Sequence, residues 1–371
     1  MADELSSRSL FLAALEAGSM IALNILSLVG NILVCISVYR NKRLRTTTNL
    51  YIIALAVSDL LSATLVMPLT GGVLITGRWP FGETLCQMNA FLGVFVVYIS
   101  PVTMGLTALN RFVRICKSDR LYRRIFSRRK SRLLLGAAWT FVALYLVVSR
   151  LIGLQESRFD PGYAVCFNVK VSKMGRVIRF VIIVGLFFIL PLAVTIFSYR
   201  NVIKTIREHN MRAVQGLQSQ AGVSGIGSNE IRISRSLFVV VFAFILCWLP
   251  LWIISILSRL HIVPNMPRNA ELLCTFCLSL SNTINPLIYA GMNRLFRREF
   301  RKILCCESGS LVQDFPRPLF ERPTGSALQK IQELTTNNDN QRSIPQKRCT
   351  HVRGRDDNIQ FGEAIELDTL K

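Results

Sequence analysis

Seven apolar blocks, each long enough to cross a lipid bilayer, constrain this chain more than any other feature. They run approximately from Met20 to Tyr39, Leu50 to Pro68, Ala90 to Leu109, Leu133 to Leu154, Val177 to Tyr199, Ser236 to Leu257 and Leu272 to Tyr289. A spanning helix needs about 20 apolar residues. Inside hydrocarbon each backbone N–H and C=O must be satisfied within its own segment or by a closed barrel, so runs of this length imply α-helices. The expected fold class is all-α, a seven-transmembrane helix bundle. With 51% hydrophobic and 18% charged residues, the 371-residue chain does not read as a pair of soluble domains.

Basic residues fall in alternate connectors. Arg40, Lys42, Arg43 and Arg45 follow the first block; Arg120, Arg123, Arg124, Arg128, Arg129, Lys130 and Arg132 follow the third; Arg294, Arg297, Arg298, Arg301 and Lys302 follow the seventh. Lysine and arginine concentrate on the cytoplasmic side, which sets the amino terminus outside and the carboxyl tail inside. The net charge of +22 therefore tracks sidedness, and no nucleic-acid-binding face is expected. The organisation reads as an extracellular segment (1–18), the bundle (19–292), a short amphipathic eighth helix (293–306) and a disordered cytoplasmic tail (307–371) of mixed charge and few aromatics. Cys305 and Cys306 close the amphipathic stretch "NRLFRREFRKIL" and suit palmitoylation. Asp3, Glu4, Arg8 and Glu16 argue against a cleaved signal peptide, leaving the first helix as its own targeting signal.

Several blocks keep a residue that a plain anchor would lack: Asn31, Asp59, Arg111, Trp248 before Pro250, and Asn285 before Pro286. An ionisable side chain at mid-membrane costs about 2.5–3.5 kcal/mol on insertion scales, which favours a functional role for Asp59 over a neutral packing residue. A channel or transporter would need a continuous polar path, and an intramembrane enzyme a second acid near Asp59; neither is present in the spans.

The strings "GNILV" (Gly30–Val34), "LAVSDL" (Leu55–Leu60), "NRF" (Asn110–Phe112), Trp139, "CWLP" (Cys247–Pro250) and "NPLIY" (Asn285–Tyr289), with Pro191 and Tyr199, resemble the signatures of rhodopsin-like, class A G-protein-coupled receptors. The likeness extends from Ser19 to about Cys306, one signature per helix, in order. It implies a plasma-membrane protein with no enzymatic activity. An extracellular small ligand would activate a heterotrimeric G protein through Arg111, with Tyr199, Phe244, Trp248, Pro250, Asn285, Pro286 and Tyr289 as moving parts. Receptor kinases and arrestin would act on the tail. A non-signalling scavenger or coreceptor of the same fold is the rival, because Asn110 stands where the family usually has an acid and Pro101 lies mid-helix.

With that acid gone, the resemblance leaves Glu230, 18 residues before Trp248, as the partner expected to hold Arg111 at rest. Glu230 also suits a helix N-terminus, after Ser228 and Asn229. The resemblance further implies a sodium ion as allosteric modulator at Asp59, Asn31, Ser100 and Asn285, since hard cations take oxygen ligands; no other cofactor is implied. Ser281 and Asn282 reverse the family's usual order, which leaves their part open. Pro101 is expected to kink helix three and alter its contact with Pro191 and Phe244. A disulfide joining Cys86 to Cys166 is implied.

Monoamine receptors of the family carry an aspartate where this chain has Gly93, and opsins a lysine where it has Ser279. Neither ligand class is expected. The pocket is expected to include Gly93, Val94, Val97, Trp252, Ser255, Glu271 and Thr275, with Arg150 and Arg179 as candidate partners for an anionic ligand; lipid-headgroup contact or solvation is the alternative for those arginines. Within the family, "NRFVRIC" and "FDPGYAVCF" (Phe159–Phe167) look like the melatonin-receptor branch, which implies a melatonin-like ligand and the inhibitory class of G protein. "NPLIY" and "CWLP" depart from that branch.

Overall fold

In the computed structural model the described residues are Leu5 and residues 7–153, 155–170, 184–214, 228–259 and 266–305. Of the two units into which the chain divides, Met1–Gly309 contains all of them; Ser310–Lys371 lies outside, as do Arg179, Cys306 and the tail expected to be disordered.

The first span is α1 (Leu10–Arg40), capped by the Ser9 hydroxyl, which accepts from Leu12 N–H. The second is made of α2 (Thr47–Leu65) and α3 (Met67–Thr76). Pro68 occupies the first turn of α3, where a missing N–H costs nothing, so the span continues past the Pro68 boundary expected from the sequence. Then come α4 (Gly82–Cys116), the short α5 (Asp119–Ile125) and α6 (Arg128–Leu151). An antiparallel hairpin follows, β1 (Gln155–Asp160) on β2 (Val165–Lys170), with Phe159 opposite Cys166. The fifth span opens with a π-helical turn, Gly185–Ile189, and proceeds as α7 (Leu190–Val214). Pro191 cannot donate to a carbonyl one turn back, and the wider turn lies just where that bond is missing. The chain closes with α8 (Ser228–Arg259), α9 (Arg268–Met292) and α10 (Arg294–Leu304). Among the described residues, seven helical segments are long and apolar enough to cross a membrane, and α10 is the short eighth helix.

The polarity of the bundle is inverted relative to a water-soluble protein. Ile25, Phe141, Leu144, Phe242, Leu246 and Leu287 are exposed, whereas Asn31, Asp59, Arg111 and Asn285 are buried. Only a hydrocarbon solvent makes that arrangement favourable. Between α1 and α9 the backbones approach closely: a Cβ on Gly30 would lie 2.9 Å from the Pro286 ring. The core of one half contains Leu55, Met104, Tyr199, Leu237, Phe244, Trp248 and Tyr289, and α10 adds Phe296, whose ring stacks 5.6 Å from that of Tyr289. α4 continues as helix through Pro101, which is buried and faces, with Pro191 and Phe244, an apolar cavity of about 390 Å³.

Candidate functional site

A cavity of about 90 Å³ lies within the bundle beneath the β-hairpin. Gly93, Val94 and Val97 of α4 and Thr275 of α9 line its walls; Tyr163, Cys166 and Phe167 form a roof; Ser62, Ser100, Trp248 and Asn282 lie deepest. Among the described residues, no charged side chain lines it. The roof is tied to α4 by the Cys86–Cys166 disulfide and by Cys166 N–H donating to Asn89 Oδ1 at 3.2 Å. It is tied to α9 by Thr275 Oγ1 donating to the Tyr163 carbonyl at 2.8 Å.

Four expected pocket residues lie elsewhere. Arg150, at the last turn of α6, is exposed and donates to Ser157 Oγ of the hairpin at 3.0 Å, and it is not among the residues that line the cavity. Trp252 packs on Phe188, ring centroids 4.0 Å apart, and lines the neighbouring apolar cavity. Ser255, nearly a turn further along α8, lines neither cavity. Glu271 points at the roof's turn: a Cβ on Gly162 would fall 1.6 Å from its Oε2 and 3.3 Å from Asp160 Oδ1, so any larger residue there requires the Glu271 carboxylate to swing aside. That Oε2 is buried without a hydrogen-bond partner.

Asp59 is buried and accepts from Asn285 Nδ2 at 2.9 Å. The other two expected sodium ligands bond elsewhere. Asn31 Nδ2 donates to the carbonyls of Ser27 (2.9 Å) and Asn282 (3.0 Å), and Ser100 Oγ donates to Val96 C=O at 2.9 Å. Asn31 Oδ1 is buried and unpartnered. Asp59, Asn31 and Ser100 carry oxygens suited to a hard cation, while Asn285 presents its amide nitrogen to the carboxylate. Asn282, left open from the sequence, donates to Ser62 Oγ at 2.9 Å.

At the opposite end of α4, Arg111 is only 1% exposed. Its Nε donates to Ser234 Oγ at 3.2 Å, one Nη to Thr48 Oγ1 at 2.9 Å, and the other to Glu230 Oε2. Asn110 makes no pair with it; its Oδ1 accepts from Thr48 Oγ1 at 3.1 Å and its Nδ2 reaches the Tyr122 hydroxyl of α5 at 3.4 Å. Glu230 lies in the first turn of α8 and reaches a second arginine, Arg114, at 3.5 Å. Arg114 also pairs with Asp119 at 2.9 Å and lies over the Tyr122 ring. Phe112, next to Arg111, packs edge-on against Phe197 of α7. Tyr199 and Tyr289 are buried, and the Phe244 and Trp248 rings pack at a tilt of 31° with centroids 4.9 Å apart. Thr48, Ser234 and Tyr122 escaped the sequence reading because no periodicity marks them; Arg114, one turn after Arg111, was visible by spacing.

A buried charge cluster at the other end was also missed. Glu16 of α1 receives both Arg268 of α9, at 2.9 and 2.6 Å, and Arg8, which further donates to the Leu74 carbonyl. All three side chains are at most 9% exposed.

Residues 30–289 match the profile of the 7 transmembrane receptor (rhodopsin family). Among curated proteins the chain is similar to melatonin receptor type 1C of Xenopus laevis, 28% identical over 76% of this chain and 65% of that receptor. Melatonin receptor type 1B-B of Danio rerio is 27% identical over 81% of this chain and 84% of its own length. Melatonin receptor type 1A of Ovis aries is 29% identical over 81% and 80% respectively. With a disulfide-tied roof over an intramembrane cavity, a buried acid at mid-bundle and a caged arginine at the far end, the chain belongs to the rhodopsin family of seven-transmembrane, G-protein-coupled receptors, membrane signalling proteins rather than enzymes.

Proposed function

We propose that this receptor converts binding of a small, neutral, largely apolar ligand from outside the cell into activation of a heterotrimeric G protein of the inhibitory class. The observation that carries the reading is the cage around Arg111, built by Glu230, Ser234 and Thr48, with Asn110 touching it only through Thr48. Glu230 and Trp248 belong to the same helix, α8, and Trp248 lines the deep end of the ligand cavity. A ligand pressing on Trp248 would turn α8 about Pro250, where a backbone hydrogen bond is lacking, and draw Glu230 away from Arg111. The freed guanidinium then meets the G protein.

The uncharged lining favours a neutral ligand over an anionic one, and the similarity to melatonin receptors makes melatonin or a related indole amide the first compound to test. Arg150 is engaged with Ser157 and does not line the cavity, which removes one support for an anion. The amino terminus lies outside and the tail inside, where receptor kinases and arrestin act. Palmitoylation at Cys305, at the end of α10, and at Cys306 fastens the eighth helix to the inner leaflet. A sodium ion at Asp59 would supply a counter-charge to the carboxylate, with Asn31 and Ser100 as its oxygen partners and Asn285 after rotation of its amide.

The deciding experiment compares wild type with Arg111→Ala at matched surface expression, across sensors for each G-protein class, with and without melatonin. Signal that is lost in the variant supports the reading. Signal retained in the variant overturns the role of Arg111, and silence in wild type under every condition favours the non-signalling rival.

A further inference from the structure

Trp248 lines two cavities. One is the roofed cavity beneath the hairpin; the other, of about 390 Å³, lies between α4, α7 with its π-helical turn, and α8. The second is the larger, and its size falls within the roughly 300–1,000 Å³ of small-molecule pockets. Two departures from a regular apolar helix adjoin the space. Pro101 folds its side chain back onto its own backbone, so α4 presents a short ring where leucine would reach further into the volume shared with Pro191 and Phe244. The wider turn Gly185–Ile189 carries Phe188, whose ring packs on Trp248 and Trp252 with centroids 5.0 and 4.0 Å away. Ile189 and Leu249 line the same cavity and are exposed on the surface of their spans, so it opens sideways into hydrocarbon.

Among the described residues, no charged side chain lines this cavity, which leaves no partner for an anion or a cation. Six of the lining side chains are rings: Pro101, Phe188, Pro191, Phe244, Trp248 and Trp252. The Thr195 hydroxyl is spent on the Pro191 carbonyl at 2.7 Å. The indole N–H groups of Trp248 and Trp252, in contrast, are both buried with no acceptor, and Trp252 lines this cavity and not the roofed one. A buried donor without a partner is a standing cost that an acceptor oxygen removes. A lipid acyl chain would fill the space and leave that donor unmet.

We propose that this cavity is a second ligand site, which takes from the bilayer a neutral, rigid, polycyclic ketone of steroid size, its carbonyl oxygen accepting from the Trp252 indole N–H. A rigid ring system loses little conformational freedom on entering, and the proline and aromatic walls offer it flat apolar surface. Bound there, it lies against Phe244 and Trp248 and wedges α8 from α7.

The test is saturation binding of tritiated progesterone to the purified full chain in phosphatidylcholine nanodiscs, with empty discs subtracted. One saturable equivalent per chain is expected, displaced by pregnane, the parent hydrocarbon, at least about tenfold less well than by unlabelled progesterone. Trp252→Phe, which keeps a ring and removes the N–H, should weaken progesterone about tenfold and leave the affinity for pregnane unchanged. Pro101→Leu and Ile245→Trp, which fill the cavity from two different helices, should each weaken binding more than about tenfold. Gly93→Leu fills the roofed cavity, where a Cβ has room, and should change binding by less than about twofold. Absence of a saturable component, equal displacement by pregnane, full binding in Ile245→Trp, or an equal loss in Gly93→Leu overturns the proposal. Because the readout is binding with no signalling step, it stands apart from the fate of the functional reading.

Discussion

Arg111 of α4 and Glu230 of α8 are ion-paired across 119 residues of chain, and the arginine's immediate neighbour takes no part in the pair. Release of α8 must break that charge-assisted contact. Replacing Glu230 by Gln removes about 1.5–3 kcal/mol of resting-state stabilisation, so ligand-free signalling should rise about tenfold or more at equal surface expression. Arg114→Gln loosens the same carboxylate from one side only and should give a smaller rise. Unchanged basal activity in Glu230→Gln would sink the idea.

Asn110→Asp tests the same cage from the other direction. The Asn110 oxygen already accepts from Thr48 at 3.1 Å, so a carboxylate there inherits that bond and adds a negative charge beside Arg111. Basal signalling should fall up to about tenfold. A rise would mean that Asn110 is needed as a donor to Tyr122.

At the roof, Gly162→Ala drives a methyl group into the Glu271 carboxylate. Because that carboxylate is the end of a flexible side chain and can swing aside, the cost should sit at the low end of about 1–3 kcal/mol, read as a small loss in thermal melting of the purified receptor. Glu271→Ala in the same chain should recover at least half of it. A double variant no better than Gly162→Ala alone would refute the contact.

Glu16→Leu leaves Arg8 and Arg268 buried without their anion. Breaking a buried ion pair by removing one partner costs about 3–5 kcal/mol, so the variant should reach the cell surface poorly and melt early. Arg8→Leu should be milder, since Arg268 keeps its bidentate bond. Equal damage from the two would place the importance in Arg8 itself.

For Asp59 the expected result concerns sodium. Exchanging choline chloride for sodium chloride should raise the melting temperature of the ligand-free wild type and leave Asp59→Asn unmoved. A variant that keeps the full shift would place the ion elsewhere.

The seven spans were legible because hydrocarbon imposes one rule on every residue within them, and mean hydropathy reports that rule directly. Span ends were less so: α4 extends from Gly82 to Cys116, well beyond the apolar run Ala90–Leu109, since helical hydrogen bonds persist past the hydrophobic boundary. Resemblance brought Arg111, Glu230, Asp59 and Asn285 forward, and both pairs do meet. Arg150, Trp252, Ser255 and Glu271 were expected in the pocket and do not line it, because counting along a helix gives depth but not the direction in which a side chain leaves it. Nothing local could pair Glu16 with Arg268, 252 residues apart, in a bundle where spans with no sequence link lie side by side.

The roof's fastenings are unequal. On the α4 side it is held by a covalent bond and by Asn89; on the α9 side its fastening to Thr275 is a single hydrogen bond. Freeing the roof from α9 costs one hydrogen bond, whereas freeing it from α4 costs a covalent one, so Thr275→Val should quicken ligand departure more than any change at Asn89; because Thr275 also lines the cavity, the readout is the dissociation rate set against affinity.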